Sequence, residues 1–260
     1  MSGQVFNLEC RWGARLEDAQ ACAERLAMML SALARLHPAF ARWNEQGYSR
    51  AAANRPFCAM PPRVDEFTRI FEKSYLSPGG PSDGFALSAW NGQDPPHGVS
   101  ISVFVGSDSK YMIFPNHPRI NLPQYEPANA DLINIGVLKP ALLAFAAAWN
   151  PDCADISPWA YFERWLRAEP WNDEQRKANR PDRYIPLIRA GWMTYLCPDY
   201  ARRINPPRGI EVEPVPGGGA LLIATREVFT PGNPLHDAAA DTIQDALLPL
   251  QNLPCEAMRR

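Results

Sequence analysis

The sequence predicts an α+β protein: a mixed, mostly antiparallel sheet built from meanders and hairpins, with helices packed against it. Three observations lead there. Residues 84–115 divide into three apolar-rich runs, 84–92, 98–106 and 110–115, separated by Gly, Pro, Asn and Asp. In the middle run Val99, Ile101, Val103 and Val105 share one face and Ser100, Ser102 and Phe104 the other, the period of two of a half-buried strand. Helical runs precede and follow this meander without regular alternation of strand and helix, which argues against a doubly wound parallel sheet.

Taken in order, residues 4–12 set Phe6, Leu8, Cys10 and Trp12 against Val5, Asn7, Glu9 and Arg11, a strand with one apolar face that Gly13 ends. Residues 16–36 carry Ala19, Cys22, Leu26, Met29, Leu30 and Leu33 at helical spacing. The His37-Pro38 step stops that helix, because the residue before proline is pushed out of the α region. Residues 39–43 read as a further helical turn. Val64, Phe67, Ile70, Phe71 and Tyr75 form one stripe, a second helix. Gly106-Ser-Asp-Ser109 predicts a hairpin between the second and third runs of the meander.

Residues 116–127, with three prolines and no period, read as loop. Residues 137–149 predict a buried helix with Pro140 near its first turn. Ser157-Pro158 reads as the cap and first position of another helix through Arg167, with Phe162, Trp165 and Leu166 turned inward. Residues 168–184 form a charged loop carrying Trp171; a strand follows within 185–197. Residues 210–215 and 220–226 flank Pro216-Gly-Gly-Gly219 as a hairpin, and 234–248 predict the closing helix. No linker divides the chain, so one domain is expected over 1–260: a strand-helix segment at about 4–75, the meander at 84–115, and strands with a helix at 185–250.

Hydrophobic residues make up 46% of the 260 and charged residues 21%, which places the chain among folded globular proteins rather than disordered ones. A net charge of -2 excludes grip on a phosphate backbone by counterion release, so no direct nucleic-acid partner is expected. It is equally far from the acidity of a DNA mimic. Six dispersed cysteines without a C-x-x-C pair read as free thiols in a reducing compartment. The first residues carry neither a basic nor an apolar leader pattern, and the longest apolar stretch, 141–149, is too short to span a bilayer; a cytoplasmic protein with no membrane partner is expected.

Chemistry-bearing motifs are sparse. His37, His97, His117 and His236 form no metal-ligating pair, and Cys10, Cys22 and Cys197 fall on apolar faces where a buried, inert thiol is the usual finding. Asp108-Ser-Lys110 has the acid-x-Lys spacing with which restriction-type nucleases set a metal ligand and a lysine on a strand, with Asp94 or Asp83 as an earlier carboxylate; a turn aspartate accounts for Asp108 more simply. A small metal-dependent hydrolase or nuclease using Asp94, Asp108 and Lys110 is therefore the alternative, and a structural subunit of a secretion apparatus a third reading. Gly217-Gly-Gly219 lies between strands, a turn rather than a phosphate cradle. Pairs such as Asp152 with Asp155, or Glu211 with Glu213, read as solvated faces. No catalytic, metal or cofactor residue is assigned, and no cofactor is expected. Most of the eight tryptophans are expected in the core, with Trp171 the best candidate for an exposed anchor, accompanied by Asp173 and Glu174.

Arg11-Trp-Gly-Ala-Arg15 with the helix that follows it, then Leu36-His-Pro-Ala-Phe-Ala-Arg-Trp43, Leu87-Ser-Ala-Trp-Asn-Gly92, Ala190-Gly-Trp-Met-Thr-Tyr-Leu196 and the tail from Thr225 to His236, stand in the order and spacing of blocks in one family. The chain resembles bacterial immunity protein family 52 from about Phe6 to Leu248. The resemblance implies a non-enzymatic immunity protein of a polymorphic-toxin system that binds and neutralises a cognate nuclease (DNase) toxin delivered by type VI secretion. It supplies no catalytic or ligand residues.

Overall fold

The computed structural model describes residues 5–46, 56–58, 61–74, 83–109, 114–161 and 188–251. Among these, nine strands form one sheet: β1 (Val5–Arg11), β2 (Asn44–Glu45), β3 (Phe85–Trp90), β4 (Ser100–Val105), β5 (Arg119–Gln124), β6 (Cys153–Pro158), β7 (Met193–Leu196), β8 (Glu211–Val215) and β9 (Gly219–Ile223). Their order is β2-β3-β4-β5-β1-β6-β7-β9-β8, with every neighbouring pair antiparallel. The helices are α1 (Ala19–Ala34), α2 (Val64–Lys73), α3 (Ile135–Trp149), α4 (Pro198–Ala201), α5 (Pro234–Ala246) and α6 (Leu248–Gln251). The expected α+β class, with an antiparallel sheet carrying helices, is what the structure shows.

Local chemistry sets the helix limits. Asp18 accepts a hydrogen bond from the Ala21 amide at 2.8 Å and starts α1, and Asn134 does the same for α3 through Val137 at 3.1 Å. Asn150 ends α3 at φ 46°, a left-handed position that asparagine tolerates better than most residues. Asn233 caps α5 with Pro234 at its first position, where the missing N–H is no loss.

The sheet has two unlike faces. Phe6, Leu8 and Cys10 of β1 join Ile101, Val103, Ile120, Ala154, Ile156 and Met193 in the main core. α1 packs on α2 and α3, α2 on β3, and α3 across β1, β6 and β7 to close that face. A second apolar cluster lies on the opposite face at the β6-β7-β9 end: Cys153, Leu196 and Leu222 pack with Ile188 and with Ile243, Leu247 and Leu250 of α5 and α6. Gln244 and Gln251 fasten the incoming chain there, accepting from the Ala190 and Ile188 amides at 2.9 and 3.1 Å. No helix among the described residues is long and apolar enough to cross a membrane.

Four expectations are corrected. The partner of β4 is β5, within the 116–127 segment expected to be loop; residues 110–113 lie outside the described residues, and 114–115 form no strand. Pro123 hid this strand from a periodicity argument. It sits where the β1–β5 register slips between Val5 and Asn7, and a bulge accommodates a residue that cannot donate to the ladder. Gly106 does turn the chain at φ +78°, where an added Cβ would come within 2.9 Å of the Glu17 carbonyl, but the hairpin closes on a later strand. Ser157-Pro158 ends β6 instead of opening a helix: the 153–158 run pairs on both sides, with β1 and β7. Helix begins only at Trp159, and Phe162, Trp165 and Leu166 lie outside the described residues. Pro140 stands in the second turn of α3, which begins at Ile135.

Candidate interaction site

Antiparallel register aligns side chains of one face into rows that cross the sheet. On the face opposite the main core, one row runs Trp90, Ser100, Asn121, Asn7 and Ser157 from β3 to β6. The next runs Ser88, Ser102, Arg119, Glu9, Asp155 and Thr194 from β3 to β7. Burial rises along both rows. The β3, β4 and β5 members are partly exposed, whereas Glu9, Asp155, Ser157 and Thr194 are buried. The alternation of β1 places Asn7, Glu9 and Arg11 here, as the sequence predicts; that Glu9 and Arg11 are each only 7% exposed is not legible from the strand alone.

These charges hold one another. The Glu9 carboxylate is shared among three guanidiniums: Arg189 Nη2 at 2.5 Å, Arg119 Nη2 at 3.1 Å and Arg11 Nη1 at 3.7 Å. Arg11 also pairs with Asp155, whose second oxygen accepts the Ser157 hydroxyl at 2.6 Å, and Arg189 stands 3.8 Å from Asp155. Burial pushes the Glu9 carboxyl up, but the Arg11, Arg189 and Arg119 charges outweigh it and hold the group at about 2. Burial likewise works against the charged form of Arg11, yet Asp155 beside it raises its pKa above the usual guanidinium range. Arg189 is pulled down, because burial and the neighbouring Arg11 charge prevail over its two acids. His117 is lowered by burial and stacks on Phe104 with centroids 4.8 Å apart.

Two hollows open along this face. One of about 260 Å³ is lined by Asn7, Glu9, Arg11, Arg119, Asp155, Ser157 and Arg189, with Pro158 and Trp159 at its side. The other, about 380 Å³, lies between Gln46, Trp90, Ser100 and Asn121. A further cleft of about 450 Å³, at the far end of β1, is lined by Trp12, Arg15, Asp152, Asp199 and Arg202. There Arg15 is taken up by Glu17 and the Trp149 and Asn150 carbonyls, and Arg202 by Asp199.

Trp171, Asp173 and Glu174, the expected contact residues, lie outside the described residues, as does Lys110. Asp94 and Asp108, the carboxylates of the nuclease alternative, fall beyond opposite ends of the six-residue β4, which at ~3.3 Å per residue separates them by roughly 20 Å. Among the described residues no group of three or more His, Cys, Asp or Glu could hold a metal ion. Asp155, expected on a solvated face, is instead 2% exposed within the charge network. Glu211 and Glu213 pair with Arg226 and Lys139. Of the thiols expected on apolar faces, Cys10 and Cys22 are buried whereas Cys197 is partly exposed; burial pushes the Cys22 thiol, and that of Cys153, up to about 12. Trp12, Trp43, Trp149 and Trp192 are core residues, as expected of most tryptophans, while Trp159, which the sequence reading did not single out, is 43% exposed beside the charged hollow.

The family model described as Immunity protein 52 matches residues 4–251. No curated protein matches the chain. Among solved structures, the Pseudomonas aeruginosa T6SS protein PA0821 is similar at a TM-score of 0.50 and 12% identity, over 93% of this chain and 74% of that one. At that identity the likeness is one of fold.

Proposed function

The chain belongs to the immunity protein 52 family, matched over residues 4–251, and on that premise we propose that it is an immunity protein that binds a cognate toxin and neutralises it. The extent of the family match carries this reading, since it takes in every strand of the sheet. In its finer form the toxin is a DNase delivered by a type VI secretion system, met in the cytoplasm of the producer or a sibling, and the chain acts as one domain without a cofactor and without chemistry of its own. The fold likeness to a T6SS protein agrees with that setting.

The near-neutral charge of -2 bears on how inhibition works. A basic nuclease cleft is best plugged by a strongly acidic surface, so this chain is suited to covering a neighbouring surface or upsetting toxin assembly. We include Trp171, Asp173 and Glu174 among the proposed contacts, on the strength of a large aromatic among solvated acids. The test is co-expression with the toxin encoded by the adjacent open reading frame. Protection of the host, and co-elution of the two proteins in a defined ratio, are expected. Death of cells carrying both genes at matched expression refutes the reading, and unchanged affinity after Asp173→Lys and Glu174→Lys removes that segment from the interface.

A further inference from the structure

We propose that the partly exposed sheet face across β3, β4 and β5 is the docking surface for the toxin, and that the matching toxin surface presents a carboxylate to Arg119. This rests on the immunity reading above and deepens it by naming the surface and the partner's chemistry.

The two faces of the sheet differ in what they leave unfinished. The main-core face is closed by α1, α2 and α3, and the β6-β7-β9 end of the other face by α5 and α6. The area that no described helix covers carries Ser100, Ser102, Asn121 and Asn7 between strands, with Trp90 at one end of its row. Aromatic and arginine anchors set among small polar side chains are the composition of an interface hot spot. The hydrogen-bonding capacity is only partly used: Asn121 donates to Ser100 Oγ at 3.0 Å and keeps its carbonyl oxygen for another donor.

The charge of the partner follows from Arg119. Its side chain is 36% exposed and, among the described residues, makes a single ion pair, at 3.1 Å, with a Glu9 carboxylate that Arg11 and Arg189 also claim. Its charge is thus offset by only a share of one acid. Among the described residues its Nε and Nη1 donate to no partner, and a guanidinium fork is the group that binds a carboxylate through two parallel hydrogen bonds. A protein carboxylate is favoured over a nucleic-acid phosphate because the chain as a whole carries -2.

Ser102 offers the cleanest test. It lies directly across from Arg119 on the neighbouring strand and is partly exposed. Ser102→Glu sets an internal carboxylate beside Arg119 that competes with the toxin's. Ser102→Lys adds similar bulk with the opposite charge. Affinity for the purified toxin of the adjacent gene is measured by calorimetry at two salt concentrations, with Glu24→Lys on α1, on the far side of the sheet, as control. Ser102→Glu is expected to weaken binding at least tenfold, Ser102→Lys to bind as well as the unaltered chain or better with a steeper salt dependence, and the control to be unchanged. Arg119→Glu repeats the loss, with a thermal melt to show that it folds. Equal affinities throughout, or equal losses with Glu and Lys, overturn the docking surface while leaving the immunity reading intact. Failure of the unaltered chain to bind refutes the reading beneath it. Sedimentation is run alongside: a dimer of this chain that Ser102→Glu dissolves makes the face a self-interface and overturns the proposal.

Discussion

Replacing Glu9 by Gln removes one charge from the centre of the sheet and keeps the shape of the side chain. The carboxyl is held at about 2 against an ordinary 4.5. The group's folded pKa is depressed, so its contribution to stability is fully present above pH 4.5 and is lost as pH falls towards 2. That displacement corresponds to roughly 3 kcal/mol at neutral pH, of which about 2 kcal/mol is gone by pH 3. Leaving the buried Arg11 and the partly buried Arg189 and Arg119 with Asp155 as the remaining acid of the network gives a loss of similar size, since breaking a buried pair costs ~3–5 kcal/mol. Urea unfolding of both proteins at intervals from pH 7 to pH 3 checks the reasoning, because other carboxylates cancel in the difference. The unaltered chain is expected to be more stable by about 3 kcal/mol at pH 7 and by about 1 kcal/mol at pH 3. Two pH profiles that run parallel, or a gap under ~1 kcal/mol at pH 7, would show that the three arginines do not bias Glu9 as the geometry requires.

Three further substitutions probe the frame around this network. Gly191→Ala puts a Cβ 2.4 Å from the Ile156 carbonyl and 2.7 Å from Ser157 Oγ, so β6 must shift; overpacking of this kind costs about 1–3 kcal/mol, read as a lower midpoint in thermal unfolding. Trp192→Ala empties a fully buried site against Phe6 and loses the indole hydrogen bond to the Thr225 carbonyl at 2.8 Å; a loss of ~3–5 kcal/mol in urea unfolding is expected. Asn116→Ala strips partners from the Gly13 carbonyl and from both the amide and carbonyl of Ser107. The Ser107 carbonyl keeps the Arg15 amide at 2.8 Å, so the Gly13 carbonyl and the Ser107 amide carry the cost; at about 1–3 kcal/mol for each, the loss approaches that of the core tryptophan, and amide exchange should quicken first at Ser107.

Much of the fold was legible because strands and helices with one apolar side announce their period. β1, α1, α2, β3, β4 and β8 lie within the predicted runs, and β9 begins one residue before its run, at Gly219. The failures have a common cause. β5 alternates only from Arg119 to Leu122 before Pro123 at its bulge, and the alternation of β6 from Ala154 to Ser157 runs into Pro158, so each period is cut short by a proline. Ser157-Pro158 imitates a helix start, and only pairing with β1 and β7 outweighs that local preference.

The sequence by itself determined the class of fold, the apolar face of β1 and the family, because each is written in the kind and spacing of residues along the chain. Only the tertiary structure decided that Glu9, Arg11, Arg119, Asp155 and Arg189, drawn from positions up to 180 residues apart, meet on one sheet face. Register is the reason: antiparallel pairing places Arg119 and Asp155 on either side of Glu9, and a charge that reads as solvated within its own strand becomes buried once strands distant in sequence close around it.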